Sequence, residues 1–142
     1  MTTQELATAL RPVISALHKS LRRQMSSVNT YSMTEIETIG HLARAGPLLP
    51  TELAALTRVR TQSMSQILKE MEKDRIIKRM PSKEDRRKVY ISLTALGKNL
   101  VEKAKYDKDE WLKTAIENTL TEKEKDLLAK AIPVLSKIIE IK

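Results

Sequence analysis

Lys83, Arg86, Arg87 and Lys88 fall within six residues, with Glu84 and Asp85 among them. Such a basic run can contact phosphates or place an arginine in a DNA minor groove, whose negative potential attracts it. A merely soluble loop would have the same composition. A second set lies upstream on a segment of helical spacing. With Met64 at 0° and about 100° per residue, Ile67, Leu68 and Met71 lie within about 60° of it. Gln62, Gln66, Lys69 and Lys73 fall opposite, between about 140° and 200°. Glutamine can pair with the N6/N7 edge of adenine in the major groove, and lysine can reach guanine or phosphate. An ordinary solvated helix face would also use Gln and Lys, so the helix and the loop carry weight only together.

The elements that position them can be read from the pattern. Leu6, Leu10, Val13, Leu17 and Leu21 form a helical stripe, which Pro12 should kink or start. Arg22, Arg23, Ser26, Ser27 and Asn29 break it. Ser32/Glu35 or Thr34/Glu37 has the spacing of a capping box for a second helix bearing Ile36, Ile39 and Leu42, which Gly46-Pro47 stops. A short third helix starts near Pro50-Thr51 and contains Leu53, Ala54 and Leu56. The turn Thr57-Arg58-Val59-Arg60 leads to a fourth, from about Thr61 to Asp74. Ile76 to Met80 reads as a strand, Pro81 to Lys88 as a polar tip, and Val89, Ile91 and Leu93 as a half-buried strand. Thr94 caps a long fifth helix with Leu96, Leu100, Ala104, Trp111 and Ala115. Thr121/Glu124 opens a sixth with Leu127, Leu128, Ala131, Leu135 and Ile138, and Pro133 is a kink site. Two helices joined by a tight turn and followed by a basic hairpin describe a winged helix-turn-helix in a mainly α chain.

Charge and composition agree. The chain has 142 residues, 26 Lys+Arg and 18 Asp+Glu, a net +8. Residues 46–95 hold 11 basic and 6 acidic residues, whereas 1–45 hold 5 and 3 and 96–142 hold 10 and 9. The excess therefore sits in the segment that carries the helix-turn-helix and hairpin, which points to a polyanion. Without Cys there are no disulfides or thiol redox switch. His18 and His41 have no second His or carboxylate at ligand spacing, so no metal and no cofactor are expected. With 3 Gly, no phosphate-binding loop and no Ser-His-Asp set, an enzyme is not expected. No apolar run spans a bilayer and no signal peptide opens the chain, so the expectation is a cytoplasmic protein with no membrane partner.

The stretch Leu53 to Gly97 resembles the multiple-antibiotic-resistance regulator (MarR-like) family of transcription factors. Leu53-Ala54, Val59, Ser63-Met64-Ser65, Met71-Glu72 and Ile76-Ile77 follow its pattern. Asp85-Arg86-Arg87 and then Leu93-Thr94-Ala95-Leu96-Gly97 match the Asp-x-Arg wing and the Leu-Thr-x-x-Gly that follows it. The six-helix plan and Leu120-Thr121-Glu122-Lys123-Glu124 extend the likeness over nearly the whole chain. Arg58, Arg60 and Arg75 depart from it, standing where Gly, Ser and Gly are frequent. A non-glycine at positive φ strains a turn, and losing Ser weakens a helix cap.

The resemblance implies a six-helix homodimer with the first, fifth and sixth helices intertwined, Arg87 in the minor groove, Asp85 orienting the wing and the fourth helix in the major groove. DNA contacts are then expected from Arg60, Thr61, Gln62, Ser63, Gln66 and Lys69 on the helix, and from Lys83, Asp85, Arg86, Arg87 and Lys88 on the wing. The organisation is 1–31 for dimerisation, 32–95 for DNA binding and 96–142 for dimerisation. The residues agree about assembly, because the terminal stripes exceed what one subunit can cover. Leu6, Leu10, Val13 and Leu17, with Leu128, Ile132, Leu135, Ile138 and Ile139, are the expected interface, and Ile141 extends the apolar tail. Packing of the three helices within one subunit is the alternative. The family also implies a cavity for a small anionic or aromatic effector, for which Tyr31, His41 and Trp111 are the candidates, with Tyr106 beside them; ordinary packing accounts for the aromatics equally. The expected function is a sequence-specific regulator of double-stranded DNA, a repressor released from a palindromic operator by its effector. The competing reading is a winged-helix module that binds a protein partner instead of specific DNA.

Overall fold

The computed structural model describes residues 1–25 and 30–140. Ser26, Ser27 and Asn29, expected to break the first stripe, and Ile141 lie outside the described residues. Six helices and one antiparallel hairpin follow in the order α1 (Thr3–Arg23), α2 (Met33–Ala45), α3 (Pro50–Thr57), α4 (Thr61–Lys73), β1 (Ile77–Pro81), β2 (Val89–Leu93), α5 (Ala95–Thr119) and α6 (Glu122–Ile139). This is the expected plan: mainly α, with a two-stranded wing after a helix-turn-helix.

Local chemistry sets most of the boundaries. Ser32 and Glu35 form the capping box of α2, and Thr121 and Glu124 that of α6. Thr2 and Glu5 form a third at α1, which carried no expectation. Gly46, at φ 78°, ends α2 in a conformation that side chains rarely adopt. Pro12 and Pro133, the expected kink sites, lie inside α1 and α6, which continue through both; Pro12 does not start a helix. The carbonyls deprived of a donor are those of Thr8 and Ala129, and all four residues are exposed, so water satisfies what the ring removes.

The hairpin pairs Ile77 with Leu93, Arg79 with Ile91 and Pro81 with Val89. Ile76 precedes β1 and Pro81 closes it, one residue later than the alternation implied. Proline suits the end of an edge strand because it has no N–H to leave unpaired. Leu48 adds a short bridge that the sequence does not announce, exchanging N–H···O bonds of 3.0 and 2.7 Å with Ile91. It ties the α2–α3 connection to the wing.

One core holds α2, α3, α4 and the hairpin together. Ile39 and Leu42 of α2, Leu53 of α3, and Met64, Leu68 and Met71 of α4 pack with Ile76, Ile77, Ile91 and Leu93. Complete burial of a Leu or Met side chain contributes about 1.5–3 kcal/mol, so this cluster fixes how α4 and the hairpin sit. The base of the wing is locked at the start of α5. The Thr94 hydroxyl donates to the Arg75 carbonyl at 2.5 Å and accepts the Gly97 N–H at 3.1 Å, while the Thr94 N–H donates to the Ile76 carbonyl at 2.9 Å. A Cβ at Gly97 would collide with that same Ile76 carbonyl oxygen, which is backbone and cannot swing away. Gly97→Ala is therefore expected to destabilise by about 1–3 kcal/mol, the cost of overpacking, despite alanine's higher helix propensity. Urea denaturation checks this, and an unchanged midpoint would show that the junction yields.

The terminal helices behave differently. Neither α1 nor α6 contributes a buried residue. Their apolar side chains stand in solvent in the single chain, with Ile132 61% and Ile139 81% exposed.

Candidate nucleic-acid interface

The face of α4 away from the core carries the residues expected to read DNA. Met64, Leu68 and Met71 are buried, Ile67 is half-buried, and Thr61, Gln62, Ser63, Gln66, Lys69 and Lys73 are exposed. A helix anchored by one face holds the other at fixed positions, which a reader of base edges needs. In the free chain Gln66 Nε2 donates to Glu70 Oε1 at 3.4 Å, a surface contact one helical turn long.

The turns on either side of α4 bear out the two departures from glycine. Arg58 and Arg75 have φ values of 58° and 63°, the two non-glycine residues of positive φ among those described. Arg60 occupies the N-cap of α4 and its side chain makes no capping hydrogen bond. It is exposed beside Thr61.

The wing tip is ordered by its own polar groups. The Ser82 hydroxyl accepts the N–H groups of Glu84 and Asp85 at 3.3 Å each. The Ser82 N–H donates to the Lys88 carbonyl and the Lys88 N–H to the Asp85 carbonyl, both at 2.9 Å. Asp85 Oδ1 accepts from Arg87 N at 3.1 Å and from Arg87 Nε at 3.3 Å. The Arg87 side chain is 93% exposed, so the pair orients the guanidinium more than it stabilises the fold. Lys83, Arg86 and Lys88 are also exposed, and Asp85 is half-buried. Glu72 of α4 and Arg79 of β1 are paired at 3.2 Å, joining the helix to the wing.

Among the described residues no group of three His, Cys, Asp or Glu is placed to hold a metal, and no helix is long and apolar enough to cross a membrane.

Two adjoining clefts lie where α1, α2 and α5 meet. The larger, about 470 Å³, has an apolar floor that includes Met25, Ile36, Ile39, Val101 and Ala104, and its charged lining is Arg22, Arg44, Lys105 and Lys108 with one carboxylate, Glu37. The smaller, about 380 Å³, adds Lys19, Arg23 and Tyr31, and the two share His18, Arg22, Met25 and Ile36. Burial, and then the negative charges of Asp74 and Glu35, raise the Tyr31 phenol above its ordinary value.

The expected trio is not assembled there. Tyr31 lines the smaller cleft, but His41 and Trp111 line neither. His41 is one step of about 100° around α2 from Gly40, which does line the cleft, and its Nδ1 lies 3.4 Å from Arg44 Nη2. Trp111 lies one turn beyond Lys108. The residues that line the larger cleft were not expected because their positions on three helices converge only in the fold.

A two-stranded basic wing behind a helix-turn-helix, with the second helix exposing a polar face, defines a winged helix-turn-helix protein. Residues 31–88 match the MarR family. The chain is 28% identical over 135 residues to an uncharacterized HTH-type transcriptional regulator of Mycobacterium bovis, covering 95% of this chain and 93% of the relative. A putative transcriptional regulator of Pseudomonas aeruginosa superposes with a TM-score of 0.83 at 28% identity over 100% of both chains. NadR, in complex with 4-hydroxyphenylacetate, superposes with a TM-score of 0.62 at 27% identity, over 96% of this chain and 94% of that one. The segment that carries the helix-turn-helix and the wing thus matches the MarR family, and the likeness to helix-turn-helix transcriptional regulators extends over nearly the whole chain.

Proposed function

We propose that this protein is a homodimeric repressor that holds a palindromic operator and is released from it by a small anionic effector. The polar, exposed face of α4 carries this reading, being fixed by the buried Met64, Leu68 and Met71 at a spacing suited to the major groove. Gln62, Gln66 and Lys69 read base edges, Arg60, Thr61 and Ser63 meet the backbone at its first turn, and Arg87, oriented by Asp85, enters the minor groove. Lys83, Arg86 and Lys88 bind phosphates. Selection of bound sites from random DNA tests it: two inverted half-sites about one helical turn apart are expected. Absence of any enriched motif would favour the partner-binding alternative.

The effector is proposed to lie in the larger cleft, whose apolar floor and cationic rim suit an aromatic carboxylate. Arg22, common to both clefts, is the expected anchor. With 4-hydroxyphenylacetate as probe, Arg22→Ala should raise the concentration that releases DNA by roughly tenfold or more, as expected for loss of one charged hydrogen bond. DNA affinity without the probe should be nearly unchanged. Equal potency on wild type and variant, read by fluorescence anisotropy, would remove Arg22 from the site.

A further inference from the structure

The two left-handed arginines occupy opposite ends of α4. Arg58, at φ 58° and ψ 39°, closes α3. Its neighbours are both pinned. Thr57 is buried with its hydroxyl donating to the Leu53 carbonyl at 2.7 Å, and Val59 is half-buried against the core with its N–H donating to the Ala54 carbonyl at 3.1 Å. The residue between them is forced outward. It emerges exposed, beside Arg60 and the exposed first turn of α4. Among the described residues no carboxylate pairs with it, since the ion pairs are those of Arg79, Arg87, Lys105 and Lys125. A left-handed backbone strains an L side chain where glycine would be relaxed. The left-handed turn caps α3, with the Arg58 and Val59 N–H groups donating to the Ala55 and Ala54 carbonyls at 3.3 and 3.1 Å, a backbone arrangement that glycine would serve equally well, so among the described residues the arginine side chain itself adds nothing to the cap.

We infer that Arg58 is a DNA-backbone contact, its guanidinium neutralising a phosphate next to the bases that α4 reads, so that this turn gives up folding stability for affinity. The inference rests on α4 being the reading helix. Arg75 supplies the internal control. It has the same conformation at φ 63° and is also exposed, but it follows the far end of α4, about 20 Å along a 13-residue helix.

Arg58→Gly and Arg75→Gly should each raise Tm by about 2–5 °C, as relief of a positive-φ side chain does. Only Arg58→Gly should weaken DNA binding, by roughly tenfold at low salt and equally on specific and scrambled duplexes. The slope of log affinity against log salt should fall by about one per subunit. Arg58→Lys should keep that slope. An Arg58→Gly variant with unchanged affinity and slope overturns the inference, as does a loss confined to one sequence or matched by Arg75→Gly. Gln66→Ala, measured in parallel, separates the failures. If it relaxes site preference while Arg58→Gly is silent, the Arg58 contact alone is wrong. If both are silent, α4 is not the reading helix.

Discussion

Replacing Ile132 and Leu135 with Glu is expected to yield a 16.2 kDa monomer that binds operator roughly 10²–10⁴-fold more weakly, the avidity lost when two linked half-site contacts become one. Leu128, Ile132, Leu135 and Ile139 are spaced i, i+4, i+7, i+11, within about 60° of arc on α6. Leu6, Leu10, Val13 and Leu17 repeat the same spacing on α1. Of these eight, all but the half-buried Leu10 are exposed in the single chain. Full burial of a side chain of this size is worth about 1.5–3 kcal/mol, and these residues forgo roughly half of it in the single chain, so two matching stripes call for a second copy to cover them. The core of the DNA-binding segment uses neither helix, and the variant should keep its hairpin and α4 in place. Light scattering and a binding titration check both halves. A wild-type monomer at micromolar concentration would defeat the proposal, as would a double-Glu variant that remains dimeric.

Truncating Gln66 and Arg87 should separate reading from holding. Gln66→Ala is expected to cost about 1–3 kcal/mol at each half-site on the preferred duplex, with little change on scrambled DNA. The lost pair is directional, so the preference at that base should relax. Arg87→Ala should weaken all duplexes alike and lower the salt slope by about one per wing, hence by about two for a dimer. Asp85 sharpens the expectation, because its carboxylate holds Arg87 from two directions. An Arg87→Ala variant with wild-type slope would show that the wing does not touch DNA. If Gln66→Ala left the site preference untouched, a helix other than α4 would occupy the groove.

Much of this was legible before any coordinates. The apolar face of α4 follows from 3.6-residue periodicity, and it predicted burial of Met64, Leu68 and Met71 and exposure of Gln62, Gln66 and Lys69. Two capping boxes and the Gly46 stop are local chemistry; at α2 the spacing left Ser32/Glu35 and Thr34/Glu37 open, and the helix uses the first. Arg58 and Arg75 were expected at strained turns because the resembling family favours glycine there, and both have positive φ. The two prolines show how far a local rule reaches: each removes one helical N–H donor, leaving the carbonyls of the exposed Thr8 and Ala129 without that partner, and α1 and α6 nonetheless continue through them.

The sequence by itself determined the elements, the polar face of α4 and the position of the basic wing. All three depend on residues close together in the chain. Only the tertiary structure decided what distant residues make together. The Leu48–Ile91 bridge joins positions 43 residues apart, and Gly97 matters because its Cα lies against the carbonyl of Ile76. The cleft was the largest gap. Its floor and rim come from α1, α2 and α5, so neither aromatic content nor local spacing could separate Arg22 and Lys108, which line it, from Trp111, which does not. Periodicity specifies the face of a helix, whereas a cavity depends on the angle and distance at which three helices pack.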